Sequence, residues 1–212
     1  MILSVDTSGR FASSAAISGQ GKLIAVKSGS PEKQHSQVIL SLCIELLKEQ
    51  GLELKDMNTF AVAAGPGSYT GLRVGIATVK AIAYALKKSC IGVSTLLALA
   101  YSVPAEGYIC SLIHARQGVS YGALFSSYDG ILTRITADKV LTFAETATLL
   151  KRYEYEEITF TGDGAEAFLS SDSFSGVTAR YSSKEPFAAA VAAAADIYEP
   201  MRPQELQAVY LQ

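Results

Sequence analysis

Short apolar runs, each about the length of a strand, dominate the beginning of the chain. The segments ILSVDTS, SSAAISG and GKLIAVKSG follow one another, and Gly19–Gly21 separates the second from the third. Apolar runs bounded by turn residues are typical of β-strands. Residues 2–28 are therefore predicted to form a three-stranded meander.

The pattern changes to a helical period after Pro31. Pro31 suits the first turn of a helix, and Gly51 suits its end. The spacing between them predicts an amphipathic helix. Its apolar face is formed by Val38, Ile39, Leu42, Cys43, Leu46 and Leu47.

Strands and helices then alternate. Thr59–Ala64 predicts a buried strand, and Thr70–Lys87 predicts a helix that ends in lysines, where the helix dipole favours them. Cys90–Ser94 predicts another strand, and TLLALAYS predicts a short helix. The order β-β-β-α-β-α-β-α fits a mixed sheet of strand order 3-2-1-4-5 with right-handed crossovers. This is the ribonuclease-H-like core of the actin-like (ASKHA) α/β fold, which actin, sugar kinases and Hsp70 share.

A second lobe is predicted after the segment SVPAEG, whose proline and glycine are typical of a boundary. The predicted lobes are residues 1–102 and 103–212. The second is predicted to hold paired strands in YICSLIHAR and VSYGALFSSYDG, a helix capped by Thr142 and Glu145, a strand in EITFTGDG, a strand or loop over Gly176–Ser183, and an alanine-rich helix over Glu185–Tyr198. A complete actin-like lobe needs more elements than this pattern supplies. The second lobe is therefore predicted to be reduced.

The composition of the chain narrows the choice of partners. Hydrophobic residues make up 49% of it and charged residues 18%, which indicates a large core or an apolar surface covered by a partner. A formal net charge of −2 gives no general attraction to nucleic acid or to anionic membranes. No signal peptide and no membrane-spanning apolar run is evident, so a cytoplasmic protein without membrane partners is predicted. Cys43, Cys90 and Cys110 are predicted to be reduced core residues.

The segment AAGPGSYTGLRVG, Ala63–Gly75, joins the fourth predicted strand to the second helix. It lacks the Lys-Ser/Thr pair of a P-loop, but amides at a helix N-terminus suit an anion. In actin-like ATPases an acidic residue at the end of the first strand helps to hold Mg²⁺, and Asp6 stands there. A nucleotide or anion turn is one hypothesis, with the candidate residues Asp6, Thr7, Gly65, Gly67, Ser68 and Thr70. The alternative is that the glycines serve close packing and that Asp6 caps a turn.

Residues for metal binding or nucleophilic catalysis are not grouped in the sequence. His35 has Ile39 rather than a ligand four positions later, and His114 stands alone. No Ser/His/Asp set presents itself either. The sequence therefore predicts no catalytic residues and no metal site.

Both long helices carry more apolar surface than one buried face requires. The second helix has a stripe predicted to face the sheet, formed by Leu72, Ile76, Val79, Ala83 and Leu86, and a polar stripe formed by Arg73, Lys80, Tyr84 and Lys87. Its third side is small and apolar and is formed by Gly71, Val74, Gly75, Thr78, Ala81, Ile82 and Ala85. On the first helix, Leu40 and Ile44 lie beyond the core stripe. These positions are predicted to form a partner interface, the alternative being that the two helices cover each other.

A resemblance to the TsaB family, also called YeaZ, rests on four segments of the first lobe: ILSVDTS, KQHSQVILSLCIELL, AVAAGPGSYTGLRVGIATVKAIA and GVSTL. The GPGSYTGLRVG block is specific to that family. In the second lobe, ARQGVSYGALF and VYLQ resemble the family's opening and closing segments. The resemblance implies a partner protein of bacterial tRNA threonylcarbamoyl-adenosine synthesis.

The resemblance also implies a lost catalytic site. TsaB is similar to a truncated TsaD, the subunit that transfers the threonylcarbamoyl group to adenosine in ANN-decoding tRNAs. TsaD carries a His-x-x-x-His metal pair after the strand equivalent to Ile91–Val93, where Thr95 and Leu99 stand here. Neither residue replaces an imidazole ligand. The implied function is a non-catalytic scaffold subunit that binds a TsaD-type catalytic subunit, with a TsaE-type ATPase joining the complex.

The same resemblance leads to further expectations about binding. A homodimer is expected when the chain is alone, and contact with tRNA is expected only through the complex. No cofactor is expected, with ATP or ADP at the complex interface left open. The rival hypothesis is an actin-fold phosphotransferase or a glycoprotease-like metallopeptidase that uses Asp6, Thr7 and the glycine-rich turn. The missing histidine pair and the reduced second lobe argue against that rival.

Overall fold

The structure, a computed structural model, describes residues 1–9, 14–29, 35–153, 156–174, 178–182 and 188–211. The chain divides into two compact units. Met1–Ala98 and Pro186–Val209 make up the first unit, and Leu99–Glu185 with Tyr210–Gln212 make up the second. The predicted lobes, 1–102 and 103–212, divide the chain only once, whereas in the structure the chain returns to its first unit near the C-terminus.

Strands and helices alternate along both units. The strands are β1 (Ile2–Asp6), β2 (Ser14–Gly19), β3 (Lys22–Ser28), β4 (Thr59–Gly65), β5 (Ser89–Ser94), β6 (Gly107–Arg116), β7 (Val119–Tyr128), β8 (Ile131–Arg134), β9 (Lys139–Thr142), β10 (Glu157–Thr161) and β11 (Thr178–Ser182). The helices are α1 (His35–Glu49), α2 (Tyr69–Ala85), α3 (Thr95–Tyr101), α4 (Phe143–Leu150), α5 (Ala165–Leu169) and α6 (Ala188–Ala195).

The first unit is built on a five-stranded sheet of order β3-β2-β1-β4-β5, as predicted. β1, β2 and β3 pair antiparallel, whereas β4 runs parallel to β1 and β5 runs parallel to β4. The two residues between β2 and β3, Gln20 and Gly21, have φ values of 52° and 71°. Positive φ at both central positions is what a type I′ hairpin turn requires, and its twist matches that of the flanking strands.

Helices α1 and α2 pack together and cover one face of this sheet. The predicted start of α1 at Pro31 lies outside the described residues. Its predicted end is confirmed, because Gly51 has a φ of 68° and terminates the helix. The core between helices and sheet is formed by large apolar side chains, among them Leu3, Val5, Ile17, Leu42, Leu46, Phe60, Val62, Ile76 and Val79.

Helix α6 packs against β1, β2 and β4. Side chains alternate along a strand, so Ser4 points away from Leu3 and Val5, which belong to the core under α1 and α2. Ser4 and Ala16 are small and fully buried, and α6 itself is alanine-rich, which lets helix and sheet approach closely. The helix predicted over Glu185–Tyr198 is therefore present in its described part, but it completes the first unit rather than the second lobe.

The C-terminal segment, residues 201–209, lies beside β5 at Met201 and beside β4 at Val209. Met201 and Cys90 exchange backbone hydrogen bonds of 3.0 and 2.8 Å in an antiparallel bridge. Farther on, Leu206 is buried, and the Val209 amide donates to the Ala64 carbonyl oxygen at 2.8 Å. The end of the chain is thereby tied to the strand that leads into the glycine-rich turn.

The second unit contains a six-stranded sheet with the path β11-β10-β6-β7-β8, and β9 also pairs with β7. β7 pairs antiparallel with β6, β8 and β9, whereas β10 runs parallel to β6 and β11 parallel to β10. Its core is formed by Cys110, Leu112, Leu124, Leu150, Ile158, Phe160, Ala165 and Phe168. The capping box predicted at Thr142 and Glu145 is confirmed at the start of α4, where the Thr142 amide donates to Glu145 Oε2 at 2.8 Å.

The second unit has more elements than the sequence predicts, because it repeats the strand order of the first. The sequence pattern does not predict β8, β9 and α5, because these elements are four or five residues long and too short to show a period. The segment over Gly176–Ser183 contains the strand β11. The unit is reduced in its helices rather than in its strands: α4 and α5 have 8 and 5 residues, against 15 and 17 in α1 and α2.

Candidate interaction surface and glycine-rich turn

The glycine-rich turn packs tightly against the turn that follows β1. A Cβ atom built on Gly71 would lie under 3.0 Å from the carbonyl oxygen of Thr7, and one built on Gly67 would lie 2.7 Å from that of Ser8. Real Cβ atoms essentially never show such contacts. Glycine is therefore required at both positions because another segment of the same unit passes directly beside the turn.

Hydrogen bonds hold the same two segments together. The Thr7 hydroxyl donates to the Gly71 carbonyl oxygen at 2.7 Å, and the Ser68 amide donates to the Ser8 carbonyl oxygen at 2.8 Å. The Ser68 hydroxyl accepts from the Gly71 amide at 3.3 Å and caps the N-terminus of α2. The backbone amides of Ser68 and Gly71, at the N-terminus of α2, are thus hydrogen-bonded within the protein.

On its other side the turn meets the C-terminal segment. Gly65 has a φ of 126°, which few side chains tolerate, and a Cβ there would lie under 3.0 Å from the Val209 carbonyl oxygen. The Val209 amide binds the neighbouring Ala64 carbonyl oxygen. Two distant parts of the sequence, the turn after β1 and the end of the chain, therefore determine where this loop needs glycine.

Asp6 closes the turn after β1. It is buried, and its Oδ1 atom accepts hydrogen bonds from the Ser8 amide at 2.9 Å and from the Ser8 hydroxyl at 2.6 Å. This is the bonding of an Asx turn, in which a carboxylate holds the backbone two residues later. Asp6 therefore has the turn-capping role that the sequence analysis left as an alternative.

The candidate residues for an anion site do come together in the structure. Asp6 and Thr7 follow β1, and the turn that begins at Gly65 leads into α2 beside them. Their described contacts are with neighbouring residues of the protein, chiefly Ser8, Gly71 and Val209, so close packing accounts for the glycines without a ligand. The side chain of Thr70 is exposed. A nucleotide or anion at this turn stays a prediction.

The surface of α2 differs from its predicted division into stripes. Leu72, Ile76, Val79 and Ala83 are buried, as predicted. Three residues assigned to the partner side, Gly71, Gly75 and Ile82, are buried as well, and Ile82 lies in the core. At Gly75 a Cβ would lie under 3.0 Å from Thr7 Oγ1 and 3.2 Å from Val62 Cγ2. The prediction that these three residues face a partner is wrong, because Gly71 and Gly75 pack against Thr7 and Ile82 packs into the core.

The other predicted interface residues remain at or near the surface. Val74 and Thr78 are half-buried, and the Thr78 hydroxyl donates to the Val74 carbonyl oxygen at 2.8 Å. Ala81 and Ala85 are exposed. On α1, Leu40 is 46% exposed and Ile44 is 49% exposed, as predicted.

One exposed residue of α2, Ala77, was missed because the sequence analysis assigned it to no stripe. It lies four positions before Ala81 and therefore shares its side of the helix. The exposed small and apolar positions of the two packed helices form what we term the helix-pair face, which consists of Leu40, Ile44, Ala77, Ala81 and Ala85.

Within the described residues, no group of three or more His, Cys, Asp or Glu side chains is placed to hold a metal ion. Thr95 and Leu99, the residues at the positions of the histidine pair of TsaD, are both buried. The Thr95 hydroxyl has no hydrogen-bond partner among the described residues. Burial raises the pKa of the Cys43 and Cys110 thiols to about 12, which makes them poor nucleophiles. None of the described helices is long and apolar enough to span a membrane.

Comparison with known proteins places this geometry in a family. The family model described as TsaD, tRNA N6-adenosine threonylcarbamoyltransferase, matches residues 29–206. The tRNA threonylcarbamoyladenosine biosynthesis protein TsaB of Bacillus subtilis (strain 168) is 30% identical over 151 residues, which cover 71% of this chain and 66% of that protein. The protein of the same name from Escherichia coli (strain K12) is 34% identical over 125 residues, 58% of this chain and 53% of that protein.

The fold has a close counterpart among solved structures. YeaZ from Pseudomonas aeruginosa superposes with a TM-score of 0.82 at 23% identity, covering 99% of each chain. By sequence, the chain spans between half and two thirds of the length of the two curated relatives. The chain belongs to the family of the TsaD model and, within it, to the TsaB, or YeaZ, group.

Proposed function

We propose that this chain is a non-catalytic scaffold subunit of the complex that forms threonylcarbamoyl-adenosine in ANN-decoding tRNAs. In this role it binds a TsaD-type catalytic subunit through the helix-pair face. The names of the curated relatives, tRNA threonylcarbamoyladenosine biosynthesis proteins, support the pathway. The match to the TsaD family model supports the partner, because two chains of related fold can pair through equivalent surfaces.

The observation that carries the proposal is the exposure of apolar side chains on α1. Leu40 and Ile44 lie one helical turn apart and are each about half exposed. Ala77, Ala81 and Ala85 present small side chains on the adjacent helix, so a partner helix can approach closely. Burying the exposed halves of Leu40 and Ile44 would contribute about 1 kcal/mol each.

The non-catalytic role is supported by the side chains at the positions that the TsaD resemblance assigns to a metal. Thr95 and Leu99 are buried and offer no imidazole. Asp6, the residue that the phosphotransferase hypothesis uses, is engaged by Ser8. The proposal therefore assigns catalysis to the TsaD-type partner.

The rest of the proposed assembly follows the family role. The helix-pair face serves a homodimer when the TsaD-type subunit is absent, and a TsaE-type ATPase joins the complex in the cytoplasm. The proposal assigns no cofactor to the chain by itself and places any ATP or ADP at the complex interface.

Reconstitution of tRNA modification tests the proposal. The TsaD-type and TsaE-type subunits are expected to form threonylcarbamoyl-adenosine only when this chain is added, and Ala81→Glu is expected to reduce formation at least tenfold. The matched control is Ile131→Glu, which introduces the same charge at a residue that is 69% exposed in β8. Full activity without the chain would refute the scaffold role, and full activity with Ala81→Glu would refute binding through the helix-pair face.

The enzyme hypothesis is tested with the chain alone. Asp6→Asn keeps an oxygen that accepts from Ser8 and removes the charge that a magnesium site would need. The scaffold role predicts no ATP turnover by either protein. Turnover by the wild type that Asp6→Asn abolishes would instead establish a phosphotransferase or an ATPase.

A further inference from the structure

A groove of about 450 Å³ lies in the first unit where the C-terminal end of α2 meets the segment that follows α6. Prolines and a methionine of that segment form part of its apolar wall. The residues on which its chemistry depends are Tyr84, Lys87, Lys88, Met201, Arg202 and Pro203.

The polar part of the groove is cationic. Lys87 and Lys88 follow α2, and the described residues provide neither with an ion-pair partner. Arg202 pairs with Glu205, so its charge is balanced within the chain. A chain with a formal net charge of −2 therefore places two lysines without an ion-pair partner among its described residues in one groove.

Lys87 ends α2 in a left-handed conformation. Its φ is 55°, its amide donates to the Tyr84 carbonyl oxygen at 3.2 Å, and the Lys88 amide donates to the Ala83 carbonyl oxygen at 2.9 Å. Glycine is preferred at this left-handed position after a helix. A lysine occupies this position instead, and its side chain lines the groove.

An aromatic ring stands beside these cations. Tyr84 is 67% exposed and lines the groove, and it packs on no other ring among the described residues. Single-stranded nucleic acids bind surfaces that combine cations for the phosphates with exposed aromatic rings on which bases stack. Both features are present within this one groove.

We propose that the groove binds a single-stranded segment of RNA, with phosphates at Lys87 and Lys88 and a base stacked on Tyr84. The inference deepens the proposed function, on which it rests for the choice of RNA. The sequence led to the expectation that the chain meets tRNA only through the complex. The groove instead gives the chain a direct contact with tRNA. Because the chain has a formal net charge of −2, we expect RNA binding to depend on this groove and not on the overall charge of the protein.

The test is binding of a short fluorescein-labelled single-stranded RNA to the full chain, measured by anisotropy over a range of salt concentrations. Tyr84→Ala is expected to weaken binding about tenfold, the effect of losing one stacked base. Lys88→Gln is expected to reduce the slope of log affinity against log salt by about 0.7, the value for one phosphate contact on a single strand. Lys87→Gly is expected to weaken binding while melting no lower than the wild type, because glycine suits the left-handed position.

Matched controls separate the groove from general effects. Gln20→Gly changes another residue with positive φ, Lys139→Gln removes a lysine of the second unit, and Tyr128→Ala removes another exposed tyrosine. All three are expected to bind RNA like the wild type. Groove variants that bind normally, controls that weaken binding equally, or an equal affinity for adenosine monophosphate would each overturn the proposal. Because the assay uses the chain alone, its failure leaves the scaffold role standing, and loss of partner binding leaves the RNA result standing.

Discussion

A methyl group at Gly71 tests whether the contact between α2 and the turn after β1 holds the first unit together. A Cβ there would meet the Thr7 carbonyl oxygen at under 3.0 Å, the Thr7 carbonyl carbon at 3.2 Å and the Ser68 Cβ at 3.3 Å. The closest atom belongs to the backbone and cannot rotate away as a side chain would. Gly71→Ala is therefore expected to push α2 from the end of β1.

The magnitude follows from two opposing effects. Replacing glycine by alanine inside a helix normally stabilises it by about 1 kcal/mol. Forcing an extra carbon into a packed contact costs about 1–3 kcal/mol, and the upper end applies where backbone must move. Displacement also weakens the buried hydrogen bond from the Thr7 hydroxyl to the Gly71 carbonyl oxygen, which is worth about 1 kcal/mol. The net loss of unfolding free energy is about 2–3 kcal/mol.

Urea denaturation followed by circular dichroism measures this loss, with the slope of the transition compared between proteins to show that the same surface unfolds. The matched control is Ala77→Gly, measured at a concentration at which the chain is monomeric, because Ala77 is exposed in the same helix and then reports helix propensity, at about 1 kcal/mol. If Gly71→Ala stabilises the protein, as the same change would in an unpacked helix, the close approach of Thr7 is absent in solution and the packing explanation of the glycines fails.

Other expectations concern reactivity, pH and core packing. Because burial raises the pKa of the Cys43 thiol to about 12, it should not react with a disulfide reagent before unfolding in urea; rapid labelling would contradict its burial. Hydrogen bonds from the Thr142 amide and hydroxyl lower the pKa of Glu145, so its stabilising effect is complete above the ordinary value of 4.5 and is lost as pH falls through the lower folded value. The melting temperature of the wild type should accordingly fall toward that of Glu145→Gln in acid. Ile76→Glu should unfold the first unit, whereas Ala81→Glu should keep the wild-type circular dichroism spectrum.

Local sequence signals predicted much of the fold. The alternation of short apolar runs and helical periods predicted the five strands of the first sheet and their order, since turn residues and crossover rules leave few alternatives. The capping box at Thr142 and Glu145 could also be predicted from the sequence, because both partners lie within four residues.

Contacts between distant segments could not be predicted in the same way. Gly71 and Gly75 have no side chain and therefore contribute nothing to an apolar period, so the sequence could not show that they face Thr7. The requirement for glycine at Gly65 depends on Val209 at the other end of the chain. The placement of α6 against the first sheet likewise depends on small residues in β1 and β2 that fit its alanines, a match that only the fold reveals.

Binding of a TsaD-type subunit is measured most directly by titration calorimetry with the wild type, Ile44→Glu and Ile131→Glu. Ile44 lies on the helix-pair face and Ile131 lies outside it, and both are exposed enough to accept a charge without unfolding the chain. We predict that the wild type and Ile131→Glu bind equally, and that Ile44→Glu binds at least about 100-fold more weakly, because its charge would be buried without a partner. Equal affinity for all three proteins would contradict binding through the helix-pair face.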